Sequence, residues 1–288
     1  MNRRAIALLV FSSAIYGLDI ITVKKGLLEG ISPYLFSILR TSLCALVALP
    51  FIISKRERIR AISLRHMSYV AVIGMIAEGI VIVLLFVGQH NTSAVNAGFL
   101  IRLTFLFTIP FAYVILGDRP GRILIVVLPM VAAGAFLIST GGSLSTPMKG
   151  DLLITSTAVM LGFTNALAKK TMKDVDADIV TSGRFVFGSL FLILLVLPFV
   201  YGELARITMA QHAYIFLSSA FYGCFVVSFY RSIDLAGPNI AAMFFTAGAV
   251  FSAAFAVLLL GESLSGAHVA GAVLLIGGAV ILTRSRLE

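Results

Sequence analysis

The sequence is divided into about ten apolar runs, each close to 20 residues long and separated from the next by a short polar break. A helix needs about 20 mostly apolar residues to cross the hydrocarbon core of a bilayer. The runs lie at 4–24, 33–53, 66–88, 93–116, 122–139, 151–170, 177–200, 210–231, 237–260 and 266–283. We therefore predict an all-α membrane protein with ten transmembrane helices and no separate soluble domain.

The composition agrees with a membrane protein, since 59% of the residues are hydrophobic, only 12% are charged and the mean hydropathy is +1.04. The net charge of +9 is carried mostly by short loops, where a bilayer explains it better than nucleic acid does, and no nucleic-acid motif is present. The two cysteines lie inside apolar runs and the four histidines show no ligand spacing. We expect neither a metal site nor a cofactor.

Lysine and arginine are distributed unevenly between the predicted loops. If the N-terminus is cytoplasmic, 15 of the 22 lie in inner loops and tails, 4 lie in outer loops and the rest lie within spans. The basic stretch 55–65 and the pair Lys169-Lys170 are on the inner side in this arrangement. The positive-inside rule then predicts a multi-pass protein of the inner or plasma membrane with both termini cytoplasmic.

The two halves of the chain align with each other at an offset of 144 or 145 residues. The matches are Gly17 with Gly162, Lys24-Lys25 with Lys169-Lys170, Arg40 with Arg184, Gly117-Asp118 with Gly261-Glu262, and Gly134 with Gly278. Each half holds five predicted spans, an odd number, so the second half must enter the membrane from the opposite side. The sequence therefore predicts two inverted five-helix repeats, 1–144 and 145–288, which is the architecture of secondary transporters.

The repeated motifs form a pattern with four parts: an aromatic-Gly pair in the first helix, a Lys at its end, an Arg in the next helix, and a Gly-acid pair before the last helix. These are Tyr16-Gly17, Lys24, Arg40 and Gly117-Asp118, and then Gly162, Lys169, Arg184 and Gly261-Glu262. In this pattern the chain resembles the EamA-type members of the drug/metabolite transporter superfamily over nearly its whole length. The resemblance implies a ten-helix fold that moves amino acids, sugars, nucleotide-linked metabolites or drugs without an ATP-binding domain.

The first helix departs from the family pattern. Tyr16 stands where tryptophan is common, and Leu18-Asp19 stands where small polar residues are common. That segment faces the central cavity in the family. The departures therefore concern the part of the chain from which a substrate would be inferred.

Ionisable side chains within the spans are the first candidates for a site, because a charge at the bilayer centre costs about 2.5–3.5 kcal/mol or more. Glu78 is interpreted as a proton carrier or a contact for a cationic group, or else as the partner of a buried arginine. Arg102 is suited to a substrate carboxylate or to neutralising Glu78. Asp19 is suited to proton coupling, or to pairing with Lys24 or Lys25 at the interface.

Polar and aromatic residues complete the predicted site. Asn165 offers an amide from the second half, and aromatic rings are suited to stacking on a substrate or to packing. The predicted substrate-binding residues are Tyr16, Asp19, Glu78, Arg102, Asn165, Tyr222 and Phe245. Arg40 and Arg184 are instead predicted to be structural, for example by bonding helix-end carbonyls, because they are equivalent in the two halves.

The sequence favours a secondary active transporter that exports small organic metabolites such as amino acids by alternating access, with protons as the expected coupling ion. Arg102 would hold the carboxylate, and Glu78 or Asp19 the ammonium group. The alternative is a permease for a neutral or lipophilic solute, such as a sugar or a drug, in which these charges pair with one another. An intramembrane enzyme is disfavoured because HExxH, GxSxG and GxGD motifs are absent from the sequence. Small residues in the last span, such as Gly271 and Gly278, suit helix packing or a homodimer face.

Overall fold

The protein is described by a computed structural model that covers residues 3–117, 122–141, 148–236, 245–246 and 248–284. These residues form helices and turns, with no strand among them. The principal helices are α1 (Arg3–Leu28), α2 (Pro33–Ser54), α3 (Leu64–His90), α4 (Ala94–Leu116), α5 (Leu124–Thr140), α6 (Lys149–Thr171), α7 (Ala177–Leu195), α8 (Met209–Ala236), α9 (Ala249–Leu260) and α10 (Gly266–Arg284).

Seven helices in the described part of the chain are long and apolar enough to cross a membrane, namely α1, α2, α3, α4, α6, α7 and α8. Shorter apolar helices, Ile125–Ile138, Ala249–Leu260 and Gly266–Ile281, lie where the other three spans are predicted. The predicted span 237–260 begins outside the described residues. The predicted boundary between the halves, at 144/145, also lies outside them. The all-helical prediction is confirmed, with seven clear candidate spans.

Helix ends follow local chemistry in several places. The Ser93 hydroxyl accepts a hydrogen bond from the amide of Asn96 (3.0 Å) at the start of α4, and Asp176 accepts one from the amide of Asp178 (2.9 Å) at the start of α7. Gly117 and its repeat equivalent Gly261 end α4 and α9 in the left-handed conformation, with φ of 77° and 67°. Matching segments of the two halves therefore stop in the same way. Asp118, the acid of the first Gly-acid pair, lies outside the described residues.

Each helix of the first half has an equivalent in the second half whose number is five higher. When every helix is replaced by its equivalent, the most extensive helix contacts turn into one another. The contact of α1 with α8 matches that of α6 with α3, α1 with α9 matches α6 with α4, and α2 with α8 matches α7 with α3. The contacts of α2 with α7, α4 with α9 and α5 with α10 map onto themselves. The two halves therefore pack on each other around an approximate two-fold axis.

Hydrogen bonds at the helix ends show how the helices are directed. The Lys24 ammonium, near the end of α1, donates to the backbone carbonyl of Thr92 (2.6 Å). The Thr92 hydroxyl donates to Asp151 (2.5 Å) in the first turn of α6. The end of α1 and the start of α6 therefore share one face, whereas Lys55 after α2 meets Asp176 before α7 (2.8 Å) on the other. Helices α1 and α6 therefore run in opposite directions, and so do α2 and α7.

Two helices change geometry where they carry charged residues. Helix α3 contains a π-helical turn, Met75–Ile80, with Glu78 in it, and α4 contains a 3-10 turn, Ile101–Leu103, with Arg102 in it. Such irregular turns are frequent at functional sites. Gly74, one residue before the π-helical turn, lets α3 approach α7 closely, because a Cβ at Gly74 would lie 2.6 Å from the carbonyl oxygen of Arg184.

Candidate functional site

The first buried ion pair joins α1 to α2. Arg40 Nη2 lies 2.7 Å from Asp19 Oδ2, and the Ser218 hydroxyl of α8 donates to Asp19 Oδ1 (2.6 Å). The Arg40 guanidinium carbon lies 3.8 Å from the centre of the Tyr222 ring and 5.1 Å from that of Phe86. Asp19 thus pairs with Arg40. The interfacial interpretation, in which Asp19 pairs with Lys24 or Lys25, is not what the structure shows.

The second buried ion pair joins α3 to α7. Arg184 Nε donates to Glu78 Oε1 (2.7 Å), and Arg184 Nη2 also contacts that oxygen. The Tyr222 hydroxyl donates to the same carboxylate oxygen (2.9 Å) and accepts from Arg184 Nη2 (3.1 Å). Glu78 is 1% exposed, so its charge depends on these partners.

Tyr222 connects the two ion pairs, since its ring contacts Arg40 and its hydroxyl contacts Glu78. Five helices from both halves contribute to what we call the central cluster: Asp19, Arg40, Glu78, Arg184, Ser218 and Tyr222. All six residues are buried, and the two acids balance the two arginines. Removing one partner of such a pair typically costs about 3–5 kcal/mol, because a buried charge is left uncompensated.

Arg102 is buried without a carboxylate partner among the described residues. It is 0% exposed, and its Nε donates to the carbonyl of Phe245 (2.8 Å) while Nη1 donates to the carbonyl of Gly98. Its guanidinium carbon lies 5.0 Å from the Phe245 ring centre and 5.5 Å from that of Tyr16. The Nη2 nitrogen has no hydrogen-bond partner among the residues that the structure describes. This nitrogen is a buried donor with unused capacity beside aromatic rings.

An aromatic cluster, formed by Tyr16, Phe225, Phe229 and Phe245, lies between Arg102 and the central cluster. Its ring centres are 4.5 Å apart for Tyr16 and Phe225, 5.3 Å for Tyr16 and Phe245, and 5.4 Å for Phe229 and Phe245. Tyr222 joins it to the central cluster, with its ring centre 6.0 Å from that of Phe225. Offset and tilted aromatic contacts at such separations are favourable, and they form a largely apolar wall beside Arg102.

A separate polar region lies at the face where α6 begins. Glu262 accepts hydrogen bonds from the amides of Ala94 (2.8 Å) and Val95 (2.9 Å) at the start of α4. The Asn96 amide donates to both oxygens of Asp151 (3.2 Å each), and its oxygen lies 3.1 Å from His268 Nε2. An open cavity of about 640 Å³ adjoins this region and is lined by Ser93, Asn96, Ile138, Thr140, Gly141, Met148, Gly261, Glu262, Ser263 and His268. The region ties the two halves together at this face.

The structure brings most of the predicted site residues together in two groups. Asp19, Glu78 and Tyr222 belong to the central cluster, and Tyr16, Arg102 and Phe245 belong to the neighbouring aromatic region. Asn165 is not joined to either group in the described part of the chain: it is exposed on α6, and none of the hydrogen bonds described there reaches it.

Two sequence interpretations are corrected by the ion pairs. Arg102 does not neutralise Glu78, because Glu78 is bound by Arg184. Helix-end carbonyls, the example given for Arg40 and Arg184, are not their main partners, since each arginine binds a carboxylate; the structural role itself stays a prediction. The sequence held a signal for this pairing, namely two acids and two repeat-equivalent arginines within spans. No comparable signal singles out Ser218.

Comparisons with known proteins agree with the two-fold arrangement. The family described as "EamA-like transporter family" matches this chain twice, over residues 3–140 and over residues 148–284. Significant similarity is found to 17 chains of solved structures. One of them, described only as a crystal structure of a protein, is 16% identical, with 98% of each chain covered and a TM-score of 0.61, which shows the fold alone. No curated protein matches the sequence significantly.

Proposed function

This chain belongs to the EamA-like transporter family, and from that membership we propose that it is a secondary active transporter that exports a small organic metabolite by alternating access. Ten transmembrane helices would form two inverted repeats, 1–144 and 145–288. The exchange of helix contacts between the halves and the opposite directions of α1 and α6 support this arrangement. Inverted repeats of this kind expose a midmembrane site to each side in turn.

The substrate class that we propose is a small metabolite with a carboxylate, with amino acids as the leading members. The carrying observation is the unpaired Nη2 of Arg102, a fully buried guanidinium that no described carboxylate neutralises. Arginine is the side chain best suited to binding a carboxylate. Asp19 and Glu78 are both bound to arginines, so an ammonium group would be met by the aromatic rings beside Arg102 rather than by these acids.

Proton coupling is assigned to Glu78. Its Oε2 is buried without a hydrogen-bond partner in the described part of the chain, and Arg184 and Tyr222 both bind the carboxylate through Oε1. A movement of α3 relative to α7 would separate Glu78 from Arg184. A carboxylate that loses its cation in a poorly solvated interior takes up a proton, which would link the conformational change to proton movement.

The test uses the full chain in proteoliposomes with a panel of labelled amino acids and labelled glucose, with and without a pH gradient. Replacement of Arg102 by methionine removes a charge-assisted hydrogen bond, so the affinity for carboxylate solutes is expected to fall roughly 30-fold or more. The matched control is Arg206→Met, which removes an exposed arginine. Unchanged affinity for amino acids in the Arg102→Met protein would reject the carboxylate site.

The second candidate is a permease for a neutral or lipophilic solute. It is favoured by one observation: the charges of the central cluster already pair with one another. Glucose uptake that survives both Arg102→Met and Glu78→Gln, together with no uptake of amino acids, would select this candidate.

The proposed setting is the inner or plasma membrane with both termini cytoplasmic. The support is the distribution of lysine and arginine between the loops. Single cysteines introduced at Lys55 and Arg206 in a protein without native cysteines would report the two sides. Labelling of both positions by an impermeant maleimide from the same side of intact cells would reject this topology.

A further inference from the structure

The central cluster is built around two pairs of repeat-equivalent positions. Glu78 and Tyr222 lie 144 residues apart and touch each other, hydroxyl to carboxylate, at 2.9 Å. Arg40 and Arg184 are also 144 residues apart. Arg184 of α7 contacts Glu78 of α3, and Arg40 of α2 contacts Tyr222 of α8. The second contact is the first one with the two halves exchanged.

This symmetry is broken in charge at two positions, 222 and 19. Arg184 meets a carboxylate at position 78, whereas Arg40 meets the neutral ring of Tyr222 at 3.8 Å. Arg40 takes its carboxylate from Asp19 instead, at 2.7 Å. The residue equivalent to Asp19 is Thr164, whose hydroxyl donates to the carbonyl of Leu161 in its own helix (3.1 Å). The acid on α1 therefore occurs only in the half whose arginine faces the tyrosine.

We propose that Asp19 is a positioning residue that replaces the carboxylate missing at position 222. It neutralises Arg40 and holds the guanidinium on the Tyr222 ring, which in turn keeps the Tyr222 hydroxyl on Glu78. Asp19 is then required only while position 222 is neutral. This inference does not depend on which solute is transported.

Charge balance determines what each variant does. Asp19→Thr leaves one buried arginine in excess, and Tyr222→Glu alone leaves one buried carboxylate in excess, so each is destabilising. The double variant Asp19→Thr/Tyr222→Glu has two acids and two arginines again, with threonine matching Thr164. Its stability is expected to exceed that of either single variant, which is the opposite of additive behaviour.

The chain provides its own reporter for the experiment. Cys44 lies one turn after Arg40 on α2 and is buried at 5% exposure, whereas Cys224 is exposed. In a Cys224→Ser background, a maleimide dye that fluoresces on reaction would report the unfolding that exposes Cys44. Asp19→Thr is expected to lower the midpoint of thermal unfolding by roughly 10 °C, and the double variant to regain most of that loss.

Two controls separate charge from shape. Asp19→Glu keeps the charge, and its thermal midpoint is expected to stay close to that of the parent protein. Asp19→Asn keeps the shape but loses the charge, and its midpoint is expected to be lowered as much as that of Asp19→Thr. The double variant Asp19→Thr/Tyr222→Gln is expected not to regain the midpoint that Asp19→Thr loses. If Asp19→Thr fails to accumulate, the measurement becomes the monodisperse yield of the double variant in detergent. A double variant no better than Asp19→Thr, or a wild-type midpoint for Asp19→Thr alone, overturns the proposal.

Discussion

The close approach of α3 and α7 makes Gly188 a sensitive position. A Cβ placed on Gly188 would overlap the Cβ of Glu78 and would lie 2.9 Å from the carbonyl oxygen of Gly74 and 3.1 Å from the carbonyl carbon of Glu78. These atoms belong to the backbone or to the root of a side chain, so no rotation relieves the overlap. Carbon atoms normally pack at about 3.5–4.0 Å, so Gly188→Ala must push α3 away from α7.

The expected cost follows from three terms. Overpacking typically costs about 1–3 kcal/mol, and a disturbed Glu78–Arg184 pair adds to it, up to about 3–5 kcal/mol if the pair is lost. Replacing glycine by alanine within a helix stabilises the helix by up to about 1 kcal/mol, which offsets part of this cost. Because the overlap is with Glu78 itself, we expect the pair to be lost, and the net destabilisation of Gly188→Ala is then at least about 3 kcal/mol. At about 2–4 °C for each kcal/mol, the thermal midpoint falls by roughly 6–12 °C or more.

A matched control is available on α8. Among the described residues, a Cβ on Gly223 would have no atom within 4 Å outside its own helix, so Gly223→Ala gains the helix propensity without a clash there. Both variants would be measured with the Cys44 dye assay in the Cys224→Ser background. Gly223→Ala is expected to keep or raise the midpoint. Equal midpoints for the two variants would refute the argument that close packing at Gly188 sets the geometry of Glu78.

Three further predictions concern other parts of the chain. Glu262→Ala removes both amide contacts at the start of α4 and is expected to cost about 1–2 kcal/mol, seen as a lower midpoint than that of Ser263→Ala. The hydrogen bond from Lys55 lowers the pKa of Asp176, so its contribution is present above about pH 4 and is lost as the pH falls through the lowered folded-state pKa. The difference in midpoint between wild type and Asp176→Asn should therefore be constant from about pH 5 to pH 8 and shrink below about pH 4; a difference that grows on acidification contradicts this. Because Asn165 is exposed, Asn165→Ala is expected to change neither midpoint nor uptake, and a loss of uptake would instead support its predicted place in the substrate site.

Apolar run length and repeat alignment were sufficient to predict the helices, because hydrophobic length and charge placement are local properties. Glu78 and Arg102 could also be singled out, since a charge inside an apolar run is visible in the sequence. Their partners could not be assigned in the same way. Glu78 binds an arginine 106 positions further along the chain, and that pairing depends on how α3 packs against α7.

Two features of the candidate site depend on geometry that the sequence does not carry. Asn165 and Asp19 occupy neighbouring repeat positions, but a shift of one residue turns a helical side chain by about 100°, and Asn165 is exposed while Asp19 is buried. Arg40 and Arg184 are equivalent in the two halves and both contact Tyr222, which their equivalence alone does not predict. The direction in which a side chain points from its helix, and its distance from the two-fold axis, are determined only when the chain folds.

The π-helical turn at Met75–Ile80 bears on how α3 tolerates changes in length. A π turn accommodates one residue more than an α turn, which offsets the azimuth of everything beyond it by about 100°. Deleting a single residue there would restore an uninterrupted α-helix and leave the stretch Val81–His90 facing α6 as it does now. Homologous chains one residue shorter in this turn should therefore keep the hydrophobic pattern of the rest of α3, whereas a deletion outside the turn would rotate that stretch by about 100°.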